Sequence, residues 1–408
     1  MEHIERGKIV MHVVYVTVEF VTEKISGGLG TYVDNMARIM RNHGHRVTII
    51  TLSHENGEFH YINKIHVIRV REDRQQNILA RTLSNSWRLM TALERVSRMD
   101  KVDIVQTASL HAIGLFRSRK VPYIVRISSD NAVLRHAEKY IFDLDKALQE
   151  KTLFDRMELY AVRHADYAFA PSKCCAKIVA ARARCRVDVV ESPFLDRTGD
   201  FDESVYQEKL AGKKYLLFNS TLSTLKGTHI GIEATDQLMS RYPDLYMVYA
   251  GIDAGIVSAN GTYIQARGIL NRLSKKYGGR VLYLGSLKRE QLFPVIANAF
   301  ACVLLSRTEN LSNSCIEAMS MKKIVIATYG ASFEQLIRNK DNGLLVKRDS
   351  PKALLKAVAY LMDMTQEGKR RMEERASISI ERLNSDQIYE KMIDVYNNTI
   401  QNFRRKIL

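Results

Sequence analysis

Apolar, β-rich runs alternate with helical stretches along this chain, and the alternation occurs twice. In the first half, the β-rich runs are residues 10–18, 47–51, 65–70, 104–106, 123–127, 167–170 and 187–190. In the second half, they are residues 215–219, 245–250, 281–284, 302–306, 324–328 and 343–346. Strands that are apolar throughout and separated by helices are typical of parallel sheets buried on both faces. The pattern therefore predicts an α/β protein with two Rossmann-like, doubly wound domains.

The boundary between the two predicted domains falls within residues 192–213. This stretch contains Pro193, Gly199 and Gly212 and no clear strand. A chain of 408 residues is long enough for two domains of ordinary size. We assign residues 1–195 to an N-terminal domain and residues 196–384 to a C-terminal domain. The final helix, 385–408, is expected to pack back on the N-terminal domain.

Charge and composition narrow the classes of partner. The net charge is +16 and is spread evenly over both halves, so no localised nucleic-acid stripe is evident. Such a charge suits anionic partners: nucleotide diphosphates, lipid-linked phosphates or an anionic membrane surface. No apolar run is long enough to span a bilayer, and the first ten residues lack a signal peptide's apolar stretch, so we expect a cytoplasmic protein. The cysteines, five in number and without a Cys-x-x-Cys pair, fit neither a zinc site nor a disulfide framework.

Two carboxylates, Glu309 and Glu317, are the most informative candidates for function. Glu309 follows the strand predicted at 302–306, and Ser312 or Ser314 can cap a helix whose first turns carry Glu317. In open α/β sheets, ligands bind at such strand-to-helix crossings, where free N–H groups favour anions. The stretch therefore predicts a binding site for an anionic ligand.

Two further strand-to-helix turns carry residues that suit a phosphate. Residues 26–31 (SGGLGT) follow the first strand, and glycines there let the backbone approach a phosphate closely. Lys226 and Gly227 follow the first strand of the second half, where a lysine can neutralise a diphosphate. A nicotinamide enzyme would need an acid at the end of the second strand, but Thr51 and Ser53 lie there. No Walker-type loop is present, which argues against an NTPase.

Together these pieces resemble the retaining nucleotide-sugar glycosyltransferases of the GT-B fold, family 4 type. The resemblance covers nearly the whole chain. It rests on residues 27–30 (GGLG), on 165–172 (ADYAFAPS), on Lys226-Gly227, on the Glu-x7-Glu signature of 309–319 and on 342–346 (NGLLV). The resemblance implies a cleft between two Rossmann-like domains, with the acceptor bound mainly by the first domain and the donor by the second.

The resemblance also implies roles for individual residues. Glu309 would contact the hydroxyls of the donor sugar, Glu317 would hold the ribose, and Lys226 would neutralise the leaving diphosphate. Glu309 and Lys226 would be the catalytic residues. The implied donor-binding set is Gly27, Gly28, Lys226, Glu309, Asn310, Leu311, Ser312, Asn313, Ser314 and Glu317. A UDP- or GDP-linked sugar is the expected donor, the acceptor would be a glycan or a lipid-linked molecule, and neither a cofactor nor a metal is expected.

The chain departs from the family at two places. Thr221 replaces an arginine that serves many relatives as a second phosphate ligand. Ser128 takes the place of a histidine near the sugar. Ser128, Arg126 and Asp130 are polar groups at a predicted strand end, and His111 follows another strand. These four are candidates for contact with the acceptor or the donor sugar, and loop capping or a structural role is the alternative for each.

Two other features have plain structural alternatives. Asp143-Leu144-Asp145 matches the Asp-x-Asp metal motif of another glycosyltransferase fold. It lies in a helical stretch, 132–164, so a solvated helix face is the favoured interpretation. Arginines recur every seven residues at 74, 81, 88 and 95, which predicts a basic face on an amphipathic helix at 77–96. It could contact an anionic membrane, although an ordinary surface helix is the favoured alternative.

Two rival functions are open at this point. A glycogen- or starch-synthase-like α-glucan transferase is one, because Glu19 precedes the glycine turn at a similar distance in those enzymes. A non-catalytic nucleotide-sugar-binding relative is the other, because of the departures at Thr221 and Ser128. The sugar, the nucleotide base, the acceptor and the oligomeric state are not specified by the sequence.

Overall fold

A computed structural model describes residues 10–23, 27–195 and 201–407 of the chain. Its contacts divide the chain into two compact units. The first unit comprises the described residues of Met1–Asp130, Lys151–Leu195 and Leu383–Leu408. The second comprises those of Asn131–Glu150 and Asp196–Arg382. Residues 131–150 were predicted to belong to the N-terminal domain, whereas their contacts are with the second unit.

The described part of the chain contains fourteen α-helices. They are α1 (Gly28–Asn42), α2 (Ile78–Met99), α3 (Asn131–Ala137), α4 (Leu144–Gln149), α5 (Leu153–Arg163), α6 (Lys173–Ala183), α7 (Ser204–Lys209), α8 (Thr228–Arg241), α9 (Ala266–Lys276), α10 (Arg289–Ala297), α11 (Asn313–Ser320), α12 (Pro351–Asp363), α13 (Gln366–Ile380) and α14 (Ser385–Ile407). Short 3-10 turns lie at Ile62–Lys64, Leu110–Ala112, Phe333–Gln335 and Glu381–Leu383.

The first unit is built on an eight-stranded sheet. Its strands are β1 (His12–Thr17), β2 (Arg46–Ser53), β3 (Gly57–Tyr61), β4 (Ile65–Arg71), β5 (Ile104–Ala108), β6 (Tyr123–Arg126), β7 (Tyr167–Ala170) and β8 (Asp188–Val189). Their order is β3-β4-β2-β1-β5-β6-β7-β8, and only the β3–β4 pair is antiparallel. The strand order reverses between β1 and β5, which is where doubly wound sheets bind ligands at their carboxyl edge.

The second unit holds a six-stranded sheet and a small three-stranded one. The strands are β9 (Lys214–Asn219), β10 (Leu222–Ser223), β11 (Leu245–Ala250), β12 (Asp253–Val257), β13 (Tyr263–Ile264), β14 (Val281–Gly285), β15 (Ala301–Leu304), β16 (Val325–Thr328) and β17 (Leu344–Val346). The large sheet is parallel, in the order β14-β11-β9-β15-β16-β17, and the small one is β10-β12-β13. The reversal of order lies between β9 and β15.

The predicted alternation of strands and helices is confirmed, with local differences. The helical stretch expected at 132–164 is three helices, because Asp143 and Thr152 cap new helices at α4 and α5. The antiparallel edge strand β3 escaped prediction, since its residues are mostly exposed and lack an apolar run. The small strands β10, β12 and β13 were also missed, being two to five residues long.

Each unit has its own hydrophobic core. The central strands β1, β5 and β16 are buried along their whole length, as expected for sheets covered on both faces. Helix α14 packs on the first unit: Tyr396 Oη donates to Gln106 Oε1 (2.7 Å) and lies 3.1 Å from Tyr15 Oη. None of the described helices combines the length and hydropathy that a membrane span requires.

Candidate active site

Two adjacent strands of the six-stranded sheet, β9 and β15, bring Lys226 and Glu309 together. Strands β9 and β15 pair in parallel, although they are far apart in sequence. The loop after β9 and β10 carries Lys226, and the loop after β15 carries Glu309. The two loops are also joined through the backbone, because Arg307 N donates to Leu225 O (2.8 Å). The site therefore lies at the carboxyl edge of the sheet, where the strand order reverses.

Lys226 and Glu309 form an ion pair. Lys226 Nζ lies 2.5 Å from Glu309 Oε1, and both side chains are largely buried, with 25% and 15% exposed. Two serines hold the glutamate: Ser306 Oγ donates to the same carboxylate oxygen (2.6 Å), and Ser332 Oγ donates to the Glu309 carbonyl (2.8 Å). The sequence pointed to both charged residues, but not to their direct contact. Without a ligand, the cation and the carboxylate of the site thus neutralise each other.

Gly227 explains why the lysine is followed by glycine. Its φ of +71° lies in the left-handed region, which favours glycine. A Cβ at this position would lie 2.2 Å from the Leu305 carbonyl oxygen. The two loops can therefore approach closely enough for the ion pair only if residue 227 has no side chain.

Glu317 is paired with a cation that the sequence analysis missed. Arg289, the first residue of α10, donates from Nη2 to Glu317 Oε1 on α11 (2.7 Å). Glu317 is 13% exposed and Arg289 is 32% exposed. Nothing in the local pattern around Arg289 marks it, because its partner Glu317 is 28 positions away in the sequence. Its partner becomes visible only when α10 and α11 are placed side by side.

The turn between the two glutamates leads into α11. Ser312 is the N-cap and accepts from Cys315 N (3.3 Å), so the prediction that Ser312 or Ser314 caps this helix is confirmed for Ser312. Ser312 is buried, while Asn310, Leu311, Asn313 and Ser314 are half-buried. The five implied donor-contacting residues of this turn therefore lie beside Glu309, within the second unit. Their contact with a donor is a prediction.

Arg307 ties residues 131–150 to this loop. It is 2% exposed and donates to the carbonyls of Ala137 (3.1 Å), Lys139 (2.5 Å) and Tyr140 (2.8 Å). Its Nε lies 2.7 Å from Asp349 Oδ1. This hydrogen bonding is the physical reason that the segment belongs to the second unit, in contrast to its place in the sequence.

Glu138 and His229 make two further contacts around Arg307 and the Lys226 loop. Glu138 Oε2, on the same segment, accepts from Leu225 N (3.1 Å), next to Lys226. His229 Nε2 lies 3.1 Å from Arg307 Nη2. Burial, reinforced by the charge of Arg307, lowers the pKa of His229 to about 4. His229 is therefore neutral at pH 7 and can accept a hydrogen bond from the guanidinium. The segment contacts both loops of the site.

Thr221 is exposed in the turn between β9 and β10. It supplies no charge at the position where the resemblance implies an arginine. Around the two glutamates, the described residues supply their positive charge through Lys226 and Arg289. The effect of Thr221 on donor binding stays a prediction.

In the first unit, the glycine-rich turn at the start of α1 contacts the Glu19 carboxylate. Gly28 begins α1, and Gly27 supplies no side-chain cap. Glu19 Oε1 instead accepts from Gly30 N (2.9 Å), and a Cβ on Gly27 would lie 3.3 Å from the same oxygen. An acid at a helix N-terminus is stabilising. The anion expected at this turn would therefore have to share it with Glu19, and the implied phosphate contact of Gly27 and Gly28 stays a prediction.

His111 lines a cavity at the carboxyl edge of the first sheet. The cavity measures about 340 Å³, and its charged or titratable lining residues are Glu19, Glu23, His54, Glu72, Arg81 and His111. Desolvation, reinforced by the charge of Arg81, lowers the pKa of His111. The His111 backbone N–H donates to Glu158 Oε1 (2.7 Å), which fixes its left-handed conformation (φ 57°). Of the four candidates for contact with the acceptor or the donor sugar, His111 lies in the lining of this cavity.

The other three candidates lie around the end of β6. The Asp130 carboxylate is ion-paired with Arg182 (Oδ2 to Nε, 2.7 Å), and both side chains are buried. Ser128 N donates to Ser109 Oγ (3.2 Å), and Ser128 is half-buried. Arg126 is buried under Tyr32, with its Cζ 3.9 Å from the ring centroid. The ion pair gives Asp130 a structural role, which was the alternative left open for it.

Sequence comparison matches both halves of the chain to glycosyltransferase families. Residues 200–378 match the family described as glycosyl transferases group 1, and residues 27–192 match the glycosyl transferase 4-like domain. The chain belongs to the group 1 glycosyl transferases. A curated relative, an uncharacterized glycosyltransferase of Methanocaldococcus jannaschii, is 23% identical over 366 residues, which cover 84% of this chain and 87% of that protein.

Solved structures resemble this group 1 glycosyltransferase along almost its whole length. Sucrose-phosphate synthase from Thermosynechococcus elongatus has a TM-score of 0.77 at 16% identity, covering 96% of this chain and 100% of that one. The Anabaena HepE protein in complex with UDP-glucose has a TM-score of 0.70 at 16% identity, covering 95% and 100%. At these identities the likeness shows the fold, and the predicted GT-B fold is confirmed.

The Glu-x7-Glu stretch of this group 1 glycosyltransferase is therefore a pair of charged sites. Lys226 and Glu309 form one, and Arg289 and Glu317 form the other. A negatively charged ligand can compete with the glutamates for both cations, and hydroxyl groups can donate to the carboxylates thus released. The arrangement suits a ligand that carries both phosphate and sugar hydroxyls.

Proposed function

We propose that this protein transfers a sugar from a nucleotide-diphosphate donor to a glycan or lipid-linked acceptor, with retention of anomeric configuration. The Lys226–Glu309 pair at the reversal point of the second sheet carries the proposal. Its two members have the charges that a sugar-diphosphate donor needs, one for the leaving group and one for the sugar. Family membership supports the transferase class.

In the proposed reaction, the two catalytic residues exchange partners when the donor binds. Lys226 turns from Glu309 to the diphosphate, and Glu309 accepts hydrogen bonds from the sugar hydroxyls. The bond from the anomeric carbon to the phosphate oxygen breaks, and a bond to the acceptor oxygen forms on the same face. The acceptor's proton passes to the departing phosphate oxygen. A preorganised cation at the leaving group lowers the barrier, because negative charge develops there.

Glu317 and Arg289 would bind the nucleoside part of the donor. In this proposal, Glu317 accepts from the ribose hydroxyls, and Arg289 orients it through their 2.7 Å contact. The Anabaena HepE protein was solved with UDP and with UDP-glucose, which supports a UDP-linked donor, and a GDP-linked donor is the second candidate. Lys226 supplies the charge at the leaving group, so we propose transfer without a divalent metal.

The biological setting is proposed by family analogy. We infer a role in the assembly of surface polysaccharide or lipid-linked glycan, in the cytoplasm or at the inner face of the membrane. The net charge of +16 supports a phosphate-bearing acceptor or an anionic surface.

A donor screen tests the proposed activity. Purified protein is incubated with UDP- and GDP-linked sugars, with and without EDTA, and release of the nucleoside diphosphate is measured. We expect turnover of one donor class that EDTA does not abolish, and NMR of the product should show the donor's anomeric configuration. Tight donor binding without hydrolysis or transfer to any acceptor would instead identify a non-catalytic relative, and an inverted product would contradict the mechanism.

Two substitutions test the site. Lys226→Met and Glu309→Gln should each lower kcat by about 10²- to 10³-fold, the usual loss when one preorganised charge is removed. The matched control is Lys276→Met, because Lys276 forms an equally short pair with Asp236 (2.6 Å) on the surface of the same unit. The control should retain wild-type turnover. Near-normal turnover in both site variants would overturn the assignment.

A further inference from the structure

Arg126 is a buried cation that forms no ion pair with any residue that the structure describes. It ends β6 and is 7% exposed. Its Nη2 donates to Ser192 Oγ (3.1 Å), and its guanidinium stacks on Tyr32. Its Nε is sealed from solvent and has no hydrogen-bond partner among the described residues. Within the described part of the chain, no carboxylate is ion-paired with it.

A charge in this position is costly to the unliganded protein. An arginine keeps its proton in proteins, so it cannot escape burial by becoming neutral. A buried charge that lacks a counter-ion destabilises the fold, because desolvation is not repaid. Stacking on Tyr32 and the bond to Ser192 orient the guanidinium, but neither group carries a negative charge. Burial lowers the pKa of Arg126, and of the groups that oppose this shift, Glu19 has a smaller effect than Tyr32 and Cys175.

Arg182, in the same unit, shows how a structural arginine is treated. Its side chain is 4% exposed, and its Nε lies 2.7 Å from Asp130 Oδ2. The two arginines are thus similarly buried, and only Arg182 has a carboxylate partner. Glu19, the acid whose field reaches Arg126, is already engaged by Gly30 N. The first unit therefore provides a counter-ion for one buried guanidinium and leaves the other without one.

One nitrogen of Arg126 is left for a ligand. Nε is sealed and Nη2 is bonded to Ser192. Nη1, unlike Nε, is not fully buried, and it donates a hydrogen bond to no described residue. An oxyanion at Nη1 would supply the missing negative charge, and charge-assisted hydrogen bonds of this kind are among the strongest that proteins make.

We propose that Arg126 binds an oxyanion, a phosphate or a carboxylate, carried by the acceptor substrate. Calling the ligand an acceptor rests on the proposed function; the binding of an oxyanion does not. The acceptor would then be a sugar phosphate, a lipid-linked phosphate or a uronic acid, and a neutral sugar would bind less well. The residue would act as a specificity determinant of the first unit.

Thermal unfolding of the full-length protein at constant ionic strength tests the proposal. The probes are inorganic phosphate, glucuronate and UDP, each titrated against chloride. Phosphate or glucuronate should raise the Tm of the wild type in a saturable manner, since a ligand bound only by the native state stabilises it. Arg126→Met should weaken that binding at least about tenfold. Arg163→Met, an exposed arginine of the same unit, should leave it unchanged.

The unliganded variants give a second readout. Without any anion, Arg126→Met should have a Tm at or above that of the wild type, because an uncompensated charge has been removed. Arg126→Lys keeps the charge but loses the planar stacking on Tyr32, so its anion affinity should lie between those of the wild type and Arg126→Met. A clear fall in Tm for Arg126→Met, or its failure to fold, would show that the guanidinium is satisfied by the fold and would overturn the proposal.

The remaining outcomes also decide the question. Equal phosphate shifts in the wild type and Arg126→Met would mean an adventitious ion only. A shift that depends on Arg126 with UDP but not with phosphate or glucuronate would place the anion on the donor and overturn the acceptor assignment. If Arg126-dependent phosphate binding is found in a protein that turns over no donor, the anion site stands and the proposed function fails.

Discussion

In the second unit, both glutamates of the 309–317 stretch are paired with a cation, whereas Arg126 in the first unit has no carboxylate partner among the described residues. Lys226 neutralises Glu309 and Arg289 neutralises Glu317. The charges around the two glutamates are therefore balanced within the second unit, and a ligand that binds there would replace one partner of each ion pair. The first unit bears a cost that a ligand's negative charge would remove. On binding an anion, the site of the second unit would replace existing ion pairs, whereas Arg126 in the first unit would gain a counter-ion that the described residues do not supply.

Arg307 gives the largest effect that this comparison predicts. It is as buried as Arg126 but fully bonded, to Asp349 and three carbonyls of the 131–150 segment. Arg307→Met should lower the free energy of unfolding by about 3 kcal/mol or more, because three carbonyls lose their buried donor and the partly exposed Asp349 loses its cation. Denaturant unfolding of this variant beside Arg126→Met is the measurement. Changes of the same sign in the two variants would break the comparison.

Turnover in a milder variant would sharpen the role of the 131–150 segment. Glu138→Gln keeps an acceptor for Leu225 N but removes the charge near Lys226. We expect kcat to fall by severalfold, with little change in Tm. An unchanged kcat would confine the segment to a structural role.

His229 gives the next effect, on pH dependence. Burial lowers the pKa of His229 in the folded protein from its usual 6.5 to about 4. The unfolded chain therefore binds a proton first as pH falls, so stability is lost between about pH 6.5 and pH 4 and the loss is complete below pH 4. The shift corresponds to on the order of 3 kcal/mol. His229→Gln should flatten the difference in unfolding free energy between pH 7 and pH 4.5, and an unchanged difference would contradict the account.

Glu317 gives an effect on donor binding. If it accepts from the ribose hydroxyls, Glu317→Gln should raise the KM for the donor by roughly tenfold and leave kcat nearly unchanged, as expected for loss of one hydrogen bond to a charged group. A 2′-deoxy donor should be discriminated against by the wild type and much less by the variant. An equal preference in both would remove the ribose contact and leave Glu317 as a structural partner of Arg289.

Local sequence signals predicted those features of the site that are complete within a single strand-to-helix turn. The cap at Ser312, the glycine after Lys226 and the two glutamates all have short-range signatures. Arg289 and Arg307 have none, because their partners are distant in sequence and meet only after folding. The same reason explains why residues 131–150 were predicted to lie in the N-terminal domain although their contacts are with the second unit: backbone carbonyls of this segment are held by Arg307, which is more than 160 positions away.

The fold shows the same division. The buried parallel strands can be recognised in the sequence by their continuous apolar runs. The exposed edge strand β3 and the two-residue strands β10 and β13 carry too little apolar pattern to be recognised. Burial therefore determines which elements can be predicted from sequence alone.

The exchange of partners at Lys226 is the central claim, and UDP binding to Glu309→Gln tests it most directly. Calorimetric titration of the wild type, Glu309→Gln and Lys226→Met with UDP is the measurement. Because the neutral glutamine no longer competes for the lysine, Glu309→Gln should bind UDP at least as tightly as the wild type while its turnover collapses, and Lys226→Met should bind more weakly. Equal loss of UDP affinity in both variants would contradict the exchange.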